Sequence, residues 1–257
     1  MHGIDRYAWA NAIVDVDPLQ KASLAGVALL LCLTLNEWVV SLATIGWMTG
    51  VALLWARLPV RAILSVLAGE FFFLVLSTLG LLISIGDAPT APVLVALPIG
   101  ATWVYVSWAA LWLAAQLTLR ALGCATAMSF LALTTPLVDL IELLRRLRLP
   151  GLLIDLMTIS YRSIFVLLAS IERTYRAQDS RLGYRNAART WVSASSLGSR
   201  IFLETFRRTQ QLGLALESRG YAGGALRVLP TTYRRTHQGW LLLTALVVTL
   251  GGLFLLP

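Results

Sequence analysis

The sequence predicts an all-α integral membrane protein: about five transmembrane helices, with a large cytoplasmic insertion of amphipathic helices between the fourth and the fifth. Three observations predict it. Of 257 residues, 58% are hydrophobic and only 13% charged, about half the charge of an ordinary soluble domain. The apolar residues gather into segments of roughly 20, the length that crosses a bilayer core. The charge is also segregated. Of 20 Arg, 16 lie between Arg145 and Arg235, against five acids (Asp155, Glu172, Asp179, Glu204, Glu217). A basic block between apolar segments sits in water or headgroups on one side of the bilayer, normally the cytoplasmic side. The membrane tether argues against nucleic acid as its partner.

The elements follow in chain order. Residues 1–21 form a polar N-terminal segment, with acids where a signal peptide carries basic residues, and are read as a retained part of the protein. From Ala22 to Ala56 the chain is nearly all apolar, broken by Asn36 and Glu37. One helix of that length would measure about 52 Å against a hydrocarbon core of about 30 Å. The segment therefore reads as a helical hairpin turning at Leu35–Trp38. A basic turn, Arg57-Leu58-Pro59-Val60-Arg61, leads to a third span from Ala62 to Ile85. Gly86, Pro89 and Pro92 break it. A fourth span is expected from Ile99 to Leu119, and a last one from Trp240 to Leu256.

These assignments place transmembrane helices 1–4 in residues 22–120, the insertion in 121–238 and the final helix in 239–257. Arg57 and Arg61 fall between spans two and three, and Arg120 with the basic block follows span four. An inside N-terminus and an outside C-terminus then put every basic loop in the cytoplasm. Glu70 is the one acid deep in a span. It reads either as an intramembrane polar contact or relay, or as a satisfied interhelical or intersubunit hydrogen bond.

The insertion is not loop-like. Leu137 to Leu149 reads as a short amphipathic helix, stopped by Pro150-Gly151. Leu152 to Arg181 has helical periodicity, with Asp155, Thr158, Arg162, Arg173, Arg176 and Ser180 confined within about 60° of arc. One narrow polar stripe on an apolar helix suits a helix lying against the inner edge of the membrane domain. A second long helix is expected from Ala187 to Ser218, ended by Gly220.

The two helices end alike. One finishes Asp179-Ser180-Arg181-Leu182-Gly183-Tyr184, the other Glu217-Ser218-Arg219-Gly220-Tyr221. A single Arg in a last turn is explained by the exposed carbonyls and the negative end of the helix dipole. Two with matching acid, Ser and Gly-Tyr context point to a paired docking device, with Ser180, Arg181, Leu182, Ser218, Arg219 and Gly220 as its residues. A planar guanidinium suits a groove lined with carboxylates or carbonyls.

Other chemistry lacks its residues. Lys21 is the only lysine and has no glycine-rich turn before it, so no phosphate-binding loop is present. His2 and His237 have no second ligand at helical spacing, and Cys32 and Cys124 form no metal motif. No catalytic residue, cofactor or metal site is expected.

At this point the chain resembles the T component of energy-coupling factor (ECF) transporters, specifically the CbiQ type of cobalt uptake systems. Asp5-Arg6-Tyr7-Ala8 and Asp17-Pro18-Leu19-Gln20-Lys21 are similar to the beginning of that subgroup. Ser180-Arg181-Leu182 and Ser218-Arg219-Gly220 match its small-Arg-small signatures, except that Leu182 stands where a small residue is usual. The resemblance implies an energy-coupling subunit of a cobalt importer in the bacterial inner membrane. It implies two copies of a CbiO-like P-loop ATPase, whose grooves receive Arg181 and Arg219, and closure of that dimer would move the two helix ends together. It also implies a CbiM-like substrate-binding membrane subunit and a small CbiN-like accessory subunit. The same role for nickel or a vitamin is the nearer alternative. A membrane scaffold whose Arg-rich hairpin binds anionic lipid is the alternative of another class.

Overall fold

The computed structural model describes residues 4–35, 37–82, 84–86, 93–99, 102–220, 233 and 236–255. In chain order the elements are α1 (Ile4–Ala10), α2 (Pro18–Thr34), α3 (Trp38–Leu54), α4 (Val60–Leu82), β1 (Ser84–Gly86), β2 (Val93–Ile99), β3 (Thr102–Ser107), α5 (Trp108–Thr134), α6 (Leu137–Arg146), α7 (Gly151–Asp179), α8 (Ala187–Glu217) and α9 (Gln238–Leu255). They form two compact units, one of residues 2–136 with 231–257, the other of Leu137–Pro230.

In the first unit α5 is the central post, against which α1, α2, α3 and α4 pack. Leu24, Ala28, Val40, Met48, Ala127, Phe130, Leu246 and Leu250 form its core. Small residues here let apolar helices approach closely, the principal source of cohesion between helices in lipid. The hairpin of residues 22–56 is present, with α2 ending at Thr34 and α3 beginning at Trp38. Across α4 and α5 the hydroxyls of Thr78 and Thr118 lie 2.6 Å apart. The Ser129 hydroxyl donates to Glu70 in the same interface.

The N-terminal segment is more ordered than its polarity suggests. Asp17 Oδ1 accepts the Leu19 N–H at 3.0 Å and Pro18 occupies the first turn, so Asp-Pro starts α2. Gln20 Nε2 donates to the Thr236 carbonyl at 2.7 Å, just before α9. Lys21 is fully buried. Its Nζ donates to the carbonyls of Val14 and Thr134, each at 3.3 Å. Asn11 Nδ2 reaches the same Thr134 carbonyl at 3.1 Å. Thr134 is the last residue of α5, where carbonyls lack helical partners and the dipole favours a cation. The Asp-Pro-Leu-Gln-Lys run is therefore a clamp joining the starts of α2 and α9 to the end of α5.

The fourth span differs from expectation. Instead of a helix over Ile99–Leu119, residues 84–107 contribute a three-stranded antiparallel sheet in the order β1-β3-β2. β-Branched and aromatic residues (Val93, Val95, Ile99, Trp103, Val104, Tyr105, Val106) favour strand over helix, a choice that apolarity alone does not make. Ser107 then caps α5, accepting the Ala110 N–H at 3.1 Å, and the helix continues to Thr134. Residues 121–134, assigned from sequence to the insertion, thus belong to the membrane-type unit, and the units divide after Pro136. Arg120 is not a loop charge. It lies within α5, and its guanidinium donates to the Leu33 carbonyl at the end of α2.

Among the described residues three helices are long and apolar enough to cross a membrane: Val60–Gly80, Trp108–Thr134 and Gly151–Asp179. Pro18–Thr34, Trp38–Leu54 and Gln238–Leu253 are shorter apolar helices. The chain is a multi-pass membrane protein. α7 qualifies for a span by length and composition, although its polar stripe makes it a surface helix on the sequence reading.

The second unit contains α6, α7 and α8. In α6 Glu142 pairs with Arg145 at 2.9 Å, while Ile141 and Leu143 are buried. α7 and α8 pack antiparallel, joined where the Ser170 hydroxyl donates to Glu204. No residue of α8 is buried.

Candidate functional site

The two helix ends flagged by sequence have the same backbone geometry. Ser180 (φ −60°, ψ −21°) and Ser218 (φ −61°, ψ −21°) each continue the helical turn. Each hydroxyl folds back onto the carbonyl three residues earlier, Ser180 to Ala177 and Ser218 to Ala215, both at 3.0 Å. The Arg181 N–H donates to the Gln178 carbonyl at 3.2 Å, and that of Arg219 to Leu216 at 3.1 Å. The next residue then enters the left-handed region, Leu182 at φ 59° and Gly220 at φ 75°. Its N–H donates to the backbone carbonyl three positions earlier, Leu182 to Asp179 at 2.8 Å and Gly220 to Glu217 at 2.9 Å.

At the first end this is the Schellman motif, since the Gly183 N–H also donates to the Gln178 carbonyl; at the second, Gly220 makes the same left-handed turn and is the last described residue of that end. Arg181 and Arg219 are the final residues before that turn. Beneath each, the small Ser side chain is tied down to its own helix and does not obstruct the guanidinium. Among the described residues neither Arg makes an ion pair, and both are exposed. Each is an outward-pointing cation at the end of a long helix, free to donate a planar fork to carboxylates or carbonyls.

The ends differ at the left-handed residue. Gly220 takes its positive φ without strain, whereas Leu182 has a Cβ in that conformation, which costs roughly 1–2 kcal/mol. The first end is also braced. The Gly183 N–H donates to Gln178 at 2.9 Å, and the Gly183 carbonyl accepts the Ser193 hydroxyl at 2.9 Å. Gln178 Nε2 donates to the Ser193 carbonyl at 3.1 Å, and the Tyr184 hydroxyl donates to Gln178 Oε1 at 2.7 Å. A Cβ at position 183 would lie 2.7 Å from Ser193 Oγ and 2.9 Å from the Gln178 oxygen, so only glycine fits. Sequence reasoning missed this brace, because nothing in the spacing of Gln178 and Ser193 announces a contact across a helix–helix turn.

Arg181 follows α7 and Arg219 follows α8, and α8 links the two. The brace holds the first end against Ser193, two turns into α8, from which Arg219 lies about 39 Å further along the helix.

Electrostatics along the hairpin are organised around Glu204. Its carboxyl is held below the ordinary glutamate range, first by the Ser170 hydroxyl and then by Arg208, which donates from Nη2 at 2.7 Å. Glu70 belongs to the other unit. One of its oxygens accepts from Ser129, and the other is buried without a partner among the described residues. Also among the described residues, no three His, Cys, Asp or Glu side chains converge where they could hold a metal ion.

Comparisons with known proteins identify the family. The cobalt transport protein family CbiQ matches residues 10–230. An uncharacterized protein of Methanocaldococcus jannaschii is 38% identical over 112 residues, covering 44% of this chain and 41% of that protein. The cobalt transport protein CbiQ of Salmonella typhimurium is 25% identical over 238 residues, covering 87% of this chain and 98% of its own length. The energy-coupling factor transporter transmembrane protein EcfT of Bacillus selenitireducens is 31% identical over 125 residues, 44% of this chain and 46% of the relative. The match thus spans under half the length of the Methanocaldococcus and Bacillus proteins and nearly all of the Salmonella one. With the family matched from the N-terminal clamp through both helix ends, the chain belongs to the CbiQ family of cobalt transport proteins.

Proposed function

We propose that this chain is the energy-coupling transmembrane subunit of an ECF-type cobalt importer. It transmits the movement of two CbiO-like P-loop ATPase subunits to a CbiM-like substrate-binding membrane subunit, with a CbiN-like subunit as an accessory. The observation that carries the reading is the pair of geometrically equivalent helix ends, each exposing one unpaired Arg. Two equivalent tips call for two equivalent receptors. Arg181 and Arg219, with Ser180, Leu182, Ser218 and Gly220 around them, are the ATPase-docking residues. The bacterial cytoplasmic membrane is the location, with the N-terminus and the α7–α8 hairpin inside and the C-terminus outside.

Because α8 links the two tips, closure of the ATPase dimer acts on this subunit by turning or flexing that helix. ATP does work through the chain only if its bound and released states differ in their contacts with the tips. The test is co-purification from detergent-solubilised membranes of wild type and of Arg181→Glu/Arg219→Glu. The ATPase should be lost from the double variant while a second membrane protein stays. An ATPase retained after both reversals would end the docking assignment.

A further inference from the structure

The two cysteines have no part in the docking role, yet the fold brings them together. Both are free thiols, Cys32 fully buried near the end of α2 and Cys124 half-buried in the second half of α5. Cys32 Sγ lies 3.6 Å from the Arg120 carbonyl, the helical acceptor of the Cys124 N–H four residues on. A Cβ at Gly123 would stand 2.8 Å from the same sulfur, so the sulfur fills space that only glycine leaves open. The Arg120 guanidinium donates to the carbonyl of Leu33, the neighbour of Cys32, and ties the two helices at that level.

Helical geometry completes the pair. Side chains tilt toward the N-terminus of their helix, so the Cys124 Cβ overhangs the Arg120 carbonyl and lies about 4 Å from the Cys32 sulfur. The two thiols are hydrogen-bonded neighbours, within reach of a disulfide by rotation of the Cys124 side chain. A buried cysteine is commonly a small apolar filler, but filling space does not require two sulfurs facing each other. Position supplies the oxidising surroundings. Cys32 is three residues before Leu35, where the α2–α3 turn begins, and Glu37 in that turn is exposed. In the topology proposed above that turn faces the outside of the membrane, where disulfides form and persist.

We propose that Cys32 and Cys124 become an intramolecular disulfide, a staple between the outer end of α2 and α5. The inference rests on the proposed topology and is independent of ATPase docking. The oxidant is a reactive disulfide on the outer side. The two thiols give up two protons and two electrons, an S–S bond forms between Cys32 and Cys124, and the S–S bond of the oxidant opens to two thiols. The bond forms as the helices assemble, before α3 covers Cys32 through Ser41, whose hydroxyl lies 3.8 Å from the sulfur.

The test counts thiols on the full wild-type chain. Membranes are dissolved in denaturant with excess maleimide and no reductant, and the intact mass is compared with that of a sample reduced beforehand. The chain should carry no adduct without reduction and two after it. Cys32→Ser and Cys124→Ser should each carry one adduct without reduction. Reducing the wild type should also lower its thermal midpoint by several degrees. Two adducts on the unreduced wild type would overturn the staple, as would a dimer on a non-reducing gel that Cys124→Ser abolishes. The wild-type count stands even if the variants fail to insert. The topology is read separately, by an impermeant maleimide on spheroplasts carrying Glu37→Cys in a Cys32→Ser/Cys124→Ser background. Labelling there with two free thiols in the wild type would refute the disulfide and leave the topology standing. Absence of labelling in spheroplasts, with full labelling after lysis, would refute the topology and the staple with it.

Discussion

The difference between Leu182 and Gly220 gives a reciprocal experiment at two otherwise equivalent positions. Both residues sit in the left-handed region at the same step of the same turn, but only one has a Cβ. Replacing Leu182 by Gly removes a backbone penalty of roughly 1–2 kcal/mol. The extra unfolded freedom of glycine returns roughly 0.5–1 kcal/mol of that. The net gain is about 0.5–1 kcal/mol, little reduced by lost packing because the Leu182 side chain is 56% exposed. Gly220→Leu should cost a similar amount, since a Cβ there meets nothing within 4 Å and only backbone strain is added. Hydrogen exchange in detergent reads this at the N–H groups of Leu182 and Gly220, which close onto Asp179 and Glu217. Exchange should slow roughly two- to five-fold in Leu182→Gly and speed up by a similar factor in Gly220→Leu. Unchanged exchange in Leu182→Gly, or slower exchange in Gly220→Leu, would refute the strain assignment. If the Leu182 side chain is retained for the partner, ATPase retention should fall in Leu182→Gly even as the turn becomes more stable.

Other expectations concern single contacts. Gly183→Ala should break the brace, because its Cβ would collide with Ser193 Oγ and the Gln178 carbonyl. Exchange should then quicken at the start of α8 and stay unchanged at Gly220. Ser129→Ala removes the donor to Glu70 and should destabilise the α4–α5 pair by about 1 kcal/mol, read as lower resistance to denaturing detergent. Glu70→Gln, which can still bond to Ser129, should lose less. The Glu204 carboxyl is held below its unfolded value of 4.5. Its contribution to the hairpin is therefore fully present above that pH and is lost as pH falls through the lower folded value. Acid unfolding followed in the hairpin should lose that component in Glu204→Gln.

What could be read from sequence depended on whether a feature repeats or is marked by a breaker. α6, α7 and α8 begin within a residue of their expected starts, because Pro136, Pro150-Gly151 and the Gly183 turn punctuate the chain. The two helix ends were visible because they occur twice, and a repeat with a polar outlier stands out from an apolar background. Residues 93–99 and 102–107 mislead because Val, Leu, Trp and Tyr satisfy a membrane helix and a strand equally well, and only the pairing of β3 with β1 and β2 distinguishes them. The clamp at Lys21 was hidden for another reason. A lone lysine beside a polar segment reads as solvated, and only the folded chain supplies the α5 carbonyl that makes its burial tolerable.

Linking the two tips through α8 ties distance to direction. Each residue added to α8 would advance Arg219 by about 1.5 Å and swing it about 100° around the axis. A single insertion therefore aims the second fork away from its receptor while barely changing the span. Only steps near 7 or 11 residues bring the fork back to within about 20° of its original bearing, and these lengthen the helix by roughly 10 or 16 Å. The spacing between the two receptors and the phase of the helix that bridges them can change only together, in jumps. Along α8, substitutions away from Ser193 and Glu204 should be tolerated, whereas insertions and deletions should not.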